Sequence, residues 1–315
     1  MIMRLRRANM WLAVFLLTLA ACSQENNSKI LYERSGYHFP YRLARPGQTW
    51  KLPRSLVEIS GLGFIDENRL ACVQDENGII FIYNLQAGAV EREVHFGRDG
   101  DYEGIEVIND DAWVLKSNGT LYEVKDFLKA ASPEVTEYKT PLKGRNDAEG
   151  LAYDPLRHSL LIACKGEPFT DKRDGRRHRA VYRFDLETRQ MDPEPFLLID
   201  LDTLRSYQDL SAITLWGMEV MAYFNPPEGD RIFAPSGIAI HPKTEDIYIL
   251  GSVGKLLLVF SGEKELRAIV SLDPGTFPKP EGICFSPDGT LYIASEGKGG
   301  EGRIIVNPAL SVVDF

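Results

Sequence analysis

The chain contains 315 residues, of which 44% are hydrophobic and 26% are charged, and its formal net charge at pH 7 is −9. Its first segment carries three arginines and no acidic residue, so removal of that segment takes the net charge from −9 to −12. Because an acidic chain repels phosphate groups, we expect no nucleic-acid partner.

Residues 1–21 have the composition of a signal peptide. A basic start precedes an almost wholly apolar run over residues 10–21, which is short for a segment that crosses a bilayer. The basic residues are Arg4, Arg6 and Arg7.

The residues that follow indicate a lipoprotein. Leu19-Ala20-Ala21-Cys22 resembles the bacterial lipobox, in which the peptide is cut before the cysteine and the thiol is lipidated. Ser23, and not an aspartate, comes next, which favours sorting to the outer membrane over the inner membrane. We expect an envelope protein anchored in the outer membrane through Cys22, with residues 22–48 as the tether.

A short motif recurs along the rest of the chain: Glu or Ser, then Gly, then Ile or Leu. Its five copies are Ser60-Gly61-Leu62, Glu103-Gly104-Ile105, Glu149-Gly150-Leu151, Ser236-Gly237-Ile238 and Glu281-Gly282-Ile283. Successive glycines are 43, 46, 87 and 45 residues apart. Repeats of roughly 40–50 residues are typical of propeller blades or solenoid units.

Each motif is followed by a turn, a second apolar run, another turn and a third apolar run. Short, evenly spaced strands of this kind predict an all-β, five-bladed β-propeller over residues 49–315. Outer strands are predicted at Val90–Phe96, Val135–Thr140, Phe196–Leu201 and Ala268–Leu272. The last repeat has no outer strand of its own, and we expect Thr49–Leu52 to supply it and close the ring.

The double gap between the third and fourth motifs has two explanations. Residues 202–225 carry apolar side chains at helical spacing, which favours a helical insertion in the third blade, at about residues 166–230. The alternative is a degenerate sixth blade. Within the insertion, the basic stretch Gly166–Arg179 is predicted to be an exposed loop.

Several segments together resemble one known family. The chain contains, in this order, EISGL, VQDENG, GDYEGIE, AEGLAYD, APSGIAIHP and KPEGICFSPDGTLYIASEG. This order resembles the SdiA-regulated family of bacterial envelope β-propeller proteins, a distant relative of NHL-repeat propellers, over about Leu52–Ile305. The resemblance implies a five-bladed propeller with a bound calcium ion, and it implies no catalytic role.

The motif also predicts a cluster of polar groups at one end of the central channel. The residue before each glycine begins an inner strand, and the antiparallel second strand ends on the same face of the disk. The residues predicted at this mouth are Ser60, Asp75, Glu103, Glu149, Lys165, Ser236, Glu281 and Glu296, with Asp101 and Asp147 beside them.

Three glutamates around a narrow axis repel one another, at a cost of about 4 kcal/mol for two charges 4 Å apart at an effective dielectric of 20. Raised pKa values, a neighbouring cation such as Lys165, or a bound metal would each relieve the repulsion. Calcium binds six to eight oxygen ligands, and we expect one Ca²⁺ held by Glu103, Glu149 and Glu281. The five histidines are scattered, which disfavours zinc.

Two functions remain open. The first is a lipid-anchored, calcium-binding module, expected to be monomeric, for an unknown protein or small-molecule ligand. The alternative is a calcium-dependent hydrolase of the phytase, esterase or lactonase type at the acidic channel mouth. Apart from Cys22, the cysteines Cys72, Cys164 and Cys284 lie in apolar runs and are predicted to be buried free thiols.

Overall fold

The structure is a computed structural model that describes residues 27–209, 232–297 and 299–310. The described chain forms a five-bladed β-propeller, so the predicted fold is confirmed and the six-bladed alternative is not needed. The predicted signal peptide, Cys22 and most of the predicted helix lie outside the described residues.

The strands of each blade follow one another outward from the axis. Blade 1 contains β3 (Ile59–Asp66), β4 (Arg69–Gln74), β5 (Ile79–Asn84) and β6 (Ala89–His95), and blade 2 contains β7 (Tyr102–Ile108), β8 (Asp111–Lys116), β9 (Leu121–Val124) and β10 (Val135–Tyr138). Blade 3 contains β11 (Ala148–Asp154), β12 (Ser159–Cys164) and β13 (His178–Asp185), with β14 (Gln190–Met191) and β15 (Leu197–Asp200) sharing its outer edge.

The last two blades take an additional strand each from the N-terminal part of the chain. Blade 4 contains β16 (Ala234–Ile240), β17 (Ile247–Val253), β18 (Leu256–Phe260), β19 (Leu266–Ser271) and, outermost, β1 (Lys29–Glu33). Blade 5 contains β20 (Pro280–Phe285), β21 (Leu291–Ser295), β22 (Arg303–Asn307) and β2 (Gln48–Lys51). Neighbouring strands are antiparallel throughout, and a 3-10 helix covers Arg54–Leu56.

The glycines of the repeated motif form the ring around which the blades pack. A Cβ atom at Gly61 would lie 3.0 Å from the Cα of Gly104, and one at Gly150 would lie 2.9 Å from the carbonyl carbon of Gly237. A Cβ atom at Gly282 would lie 2.8 Å from the Cβ of Leu62, and Leu62 belongs to the first copy of the motif. Each inner strand therefore approaches the next too closely for any larger side chain, and the contact of blade 5 with blade 1 completes the circle.

The ring is closed by β2, as predicted. Thr49 pairs with Ile305 and Trp50 with Ile304. β2 is therefore the outer strand of blade 5, whose other three strands come from the C-terminal part of the chain. The indole Nε1 of Trp50 also donates a hydrogen bond to the carbonyl of Leu85 in blade 1, at 2.9 Å. The closing strand thus fastens blade 5 to blade 1.

Much of the predicted tether is part of the folded domain. Residues 29–33 form β1, which pairs with β19, and Phe39, Tyr41 and Leu43 are buried in the core between blades 4 and 5. Among the described residues the first strand of the propeller is therefore β1, which begins at Lys29, and not a strand near residue 49. The reason is tertiary, because the open edge of β19 pairs with a short segment whose own sequence does not specify its partner.

The insertion follows the third blade. Helix α1 (Leu201–Asp209) begins directly after β15, and the chain returns at β16. Residues 166–177 form the predicted loop, whereas Arg179 is buried in β13 and is not part of an exposed loop. Within the described residues, no helix is both long and apolar enough to cross a bilayer. Cys72, Cys164 and Cys284 are free and buried, as predicted.

Candidate functional site

The channel mouth is the face of the disk at which the inner strands begin, and the motif residues lie there. In all five blades the pairing of the inner strand with the second strand shifts at the residue just before the motif glycine. A β-bulge leaves this residue outside the regular ladder and re-aims its side chain. The bulged residues are Ser60, Glu103, Glu149, Ser236 and Glu281.

The three glutamates at the mouth are close enough to repel one another; Glu103 is half-buried and the other two are withdrawn from water. Glu149 is 4% exposed and Glu281 is 5% exposed. Burial, and then the charge of Glu149, raises the pKa of Glu103 far above its ordinary value, and a hydrogen bond with Asp101 adds to the shift. Burial and the charge of Glu149 raise the pKa of Glu281 to about 8. These carboxyl groups therefore retain protons near neutral pH unless a cation compensates them.

Lys165 is one such cation, as the sequence predicts. Its Nζ lies 2.6 Å from Oε1 of Glu149 and 3.7 Å from Oδ2 of Asp147. Burial lowers the pKa of Lys165, but the carboxylates of Glu149 and Asp147 raise it by more than burial lowers it. The net pKa is raised, so the ammonium group stays charged. The pKa of Glu149 is nevertheless raised, because the effect of burial exceeds that of the ion pair.

Lys279 is a second cation at the mouth, which the sequence analysis did not place there. Its Nζ lies 3.3 Å from Oε1 of Glu281 and forms a short ion pair with Glu296. Lys279 precedes its motif glycine by three residues, the position that Asp101 and Asp147 hold in blades 2 and 3. Alignment of the five motifs would therefore have located it.

The two serines of the motif hold neighbouring blades together. The hydroxyl of Ser60 donates to the carbonyl of Tyr102 at 2.6 Å, and that of Ser236 donates to the carbonyl of Pro280 at 2.7 Å. Each bond joins the start of one inner strand to the start of the inner strand of the next blade. These hydroxyl groups are thus engaged by backbone, and we assign them a structural role.

Two carboxylate oxygens of the mouth are buried without a hydrogen-bond partner among the described residues. They are Oδ1 of Asp75 and Oε2 of Glu281. Burial, together with the charges of Glu58 and Glu296, raises the pKa of Asp75. Unpaired buried oxygens are costly, so the mouth favours any species that supplies positive charge or a hydrogen-bond donor.

A further glutamate lies deeper along the same inner strand. Glu106 follows Glu103 by three residues, which corresponds to about 10 Å along a strand. Its carboxylate accepts hydrogen bonds from the backbone N–H groups of Val107 at 3.2 Å and of Tyr153 at 3.1 Å. Burial raises its pKa to about 7. The repeat gave no signal for this group, because the other motifs have no acidic residue at its position.

The donor chemistry of the mouth suits a hard cation. The available groups are carboxylate oxygens, one of them the unpaired Oε2 of Glu281, and calcium prefers such ligands. In the part of the chain that the structure describes, no three His, Cys, Asp or Glu side chains form a ready-made metal cluster. Lys165 and Lys279 occupy carboxylates that a metal ion would use, so an ion would compete with both ammonium groups.

Similar folds occur in several solved structures. A luciferin-regenerating enzyme matches 85% of this chain and 96% of its own, with a TM-score of 0.49 and 12% identity. A nidogen/laminin complex matches 75% of this chain and 72% of its own (TM-score 0.45, 13% identity), and a streptogramin B lyase matches 83% and 97% (TM-score 0.43, 12% identity). No protein-family model and no curated protein matches the chain. Similarities at these identities do not bear on its function.

Proposed function

We propose that this β-propeller is a lipid-anchored binding module of the bacterial envelope with one calcium ion at its channel mouth. Its anchor would be Cys22, and its relatives would be the SdiA-regulated propellers that its motifs resemble. The proposed ligands of the ion are Glu103, Glu149 and Glu281. The ion would neutralise these carboxylates and leave the surrounding face of the disk for a protein or small-molecule partner.

The observation that supports this proposal is the concentration of acidic groups at one mouth, of which Glu149 and Glu281 are buried. The ion-paired Lys165 and Lys279 are fewer than the acidic groups around them, which are the three motif glutamates and the flanking Asp75, Asp101, Asp147 and Glu296. The raised pKa values of Glu103 and Glu281 mean that these groups ionise unfavourably in the folded protein. A divalent cation that binds only the folded state would stabilise their ionised form.

Thermal unfolding with and without calcium tests the proposal. Chelation should lower the melting temperature and millimolar calcium should restore it. Calcium at a hundred times its Kd should raise the free energy of unfolding by about 2.7 kcal/mol. Magnesium should restore it poorly, because it requires a tighter octahedral shell. Glu149→Gln should weaken the calcium response while keeping the shape of the side chain.

Glu67→Gln is the matched control for this variant. Glu67 is exposed in the turn between β3 and β4, on the opposite face of the disk from the mouth. Its substitution should leave the calcium response unchanged. A protein whose melting is indifferent to both chelator and calcium would overturn the proposal.

A calcium-dependent hydrolase is the second candidate. Glu149 beside Lys165 favours it, because a buried carboxyl group with a raised pKa next to an ammonium group can exchange a proton near neutral pH. In that reading calcium would polarise a carbonyl or phosphoryl oxygen. The mature protein should then turn over a phosphomonoester, ester or lactone, and both chelator and Glu149→Gln should abolish turnover. If the protein turns over none of the three substrate classes, the hydrolase is rejected and the binding module stands as the proposed function.

A further inference from the structure

The described chain begins at the mouth face of blade 4. The inner strand β16 runs away from the mouth, and the following strands alternate in direction, so β19 ends at the mouth with Ser271. Lys29 pairs with Ser271 at the start of β1. Ser28 continues this contact, because its hydroxyl accepts a hydrogen bond from the backbone N–H of Asp273, in the segment that leads to β20.

The distance from this point to the lipid anchor is short. Six residues lie between Cys22 and Lys29, and the seven Cα–Cα steps from one to the other can span at most about 25 Å when fully extended. The opposite face of the disk lies one strand away from the mouth, which is roughly 20 Å for the six residues of β19. A tether that ran along the edge of blade 4 to the opposite face would therefore have almost no length left to reach a bilayer.

We propose that the channel mouth faces the membrane, so that its immediate neighbour is the phospholipid headgroup layer. This orientation rests on the lipid anchor at Cys22 proposed above. In this orientation the mouth is a site for ligands at the membrane surface, whereas the opposite face is directed away from the bilayer. A partner that is free in solution would have to enter the narrow space beneath the disk.

The short tether, and not surface charge, sets this orientation. Exposed side chains of both signs stand on the mouth face, among them Arg54, Glu76, Arg98 and Asp99. At the channel mouth itself acidic groups outnumber the ion-paired Lys165 and Lys279, so anionic headgroups are repelled there and surface charge does not favour this orientation. High salt screens such contacts but does not change the length of a tether, so the orientation should persist at high ionic strength.

Energy transfer to the bilayer tests the orientation on the lipidated full chain. Glu76→Cys places a fluorophore at the mouth end of β4, and Glu67→Cys places one at the opposite end of the same strand, about 20 Å away. Both residues are exposed, and the native thiols of Cys72, Cys164 and Cys284 are buried and should not be labelled. Each labelled protein is reconstituted into phosphatidylethanolamine–phosphatidylglycerol vesicles that contain an acceptor-labelled lipid.

Transfer should be clearly more efficient from position 76 than from position 67, at low and at high salt. Equal transfer from vesicle-bound protein would mean an edge-on disk, and the reverse order would mean that the mouth points away; either result overturns the orientation but keeps the anchor. Protein that does not float with the vesicles would overturn the anchor at Cys22 and the orientation with it.

Discussion

The Nζ of Lys165 lies 2.6 Å from Oε1 of Glu149, where the second strand of blade 3 ends beside the start of its first. The ammonium group is thus an internal cation bound to one of the proposed calcium ligands. An ion that enters the mouth must compete with it. We therefore expect Lys165 to reduce the calcium affinity of the mouth while stabilising the calcium-free form.

Replacement of Lys165 separates these two effects. Lys165→Met should lower the Kd for calcium about tenfold, because a unit charge near 4 Å contributes about 4 kcal/mol at an effective dielectric of 20 and partial exposure of the lysine reduces that value. The calcium-free variant should melt at a lower temperature, because Glu149 loses its counter-ion. Isothermal titration with calcium and thermal unfolding measure the two quantities.

Lys143→Met is the control for Lys165→Met. Lys143 is exposed on the loop that precedes β11, on the same face of the disk. Its loss should alter neither calcium affinity nor melting.

If Lys165→Met binds calcium as the natural protein does, the ammonium group does not compete for the site. If only the variant binds calcium, the lysine occupies the site and the proposed calcium ion is wrong for the natural chain.

The stability of the calcium-free protein should fall as the pH rises from about 5 to 8. Folding raises the pKa of Glu281 from 4.5 to about 8, so its contribution is complete below 4.5, is lost progressively between these two values, and changes no further above 8. One such group changes the free energy of unfolding by up to about 1.4 kcal/mol per pH unit within that window. Denaturant unfolding of calcium-depleted protein at pH 6, 7 and 8 measures the loss.

Glu281→Gln should reduce this dependence, because the amide has no proton to lose, whereas Glu103 and Glu149, whose pKa values are also raised, keep part of it. Excess calcium should also reduce it in the natural protein, because a bound cation stabilises the charged carboxylates. Equal stability of the calcium-free protein at pH 6 and pH 8 would mean that Glu281 is not held protonated in the fold.

Loss of the closing strand should open the ring. A chain that begins at Val57 lacks both β1 and β2, which leaves β19 and β22 as exposed edges and should lower the melting temperature and promote aggregation. Trp50→Ala is a milder version, because it removes the indole and its hydrogen bond to Leu85 and should cost about 2 kcal/mol. Calorimetry and size-exclusion chromatography test both. A Val57 chain that melts like the full domain would place the closure elsewhere.

The three cysteines should be inert in the folded protein. Burial raises the pKa of the Cys72, Cys164 and Cys284 thiols, and the thiolate is the reactive form. A colorimetric disulfide reagent should modify none of them in native buffer and all three in denaturant. Rapid reaction of any thiol in the native protein would mean that its strand opens easily.

Sequence reasoning recovered the parts of the fold that repeat. The five motif glycines predicted five inner strands, and they lie where the backbones of neighbouring blades meet, as Gly61 does against Gly104. The closing strand near Thr49 followed from the missing outer strand of the last repeat. Each of these predictions rests on a pattern that several blades share.

The remaining features depend on single contacts between distant segments. Lys29–Glu33 becomes a strand only because β19 offers an open edge, and nothing in five residues on their own specifies that partner. The β-bulges at Glu103 and Glu149 depend on backbone pairing, which residue types do not encode. Lys279 is different, because it holds the same place in its motif as Asp101 and Asp147, and alignment of the repeats places it at the mouth.

The closure by β2 also determines when the fold can be completed. β2 leaves the ribosome about 250 residues before its partner β22, which covers Arg303–Asn307. The first four blades can form in order of synthesis, but the seam must wait until β22 has been made. Contacts between residues so far apart in sequence form slowly, because the loop between them must first be ordered. A chain stalled shortly before Arg303 would hold β2 without its partner, and it would be a target for quality control although most of its blades are built.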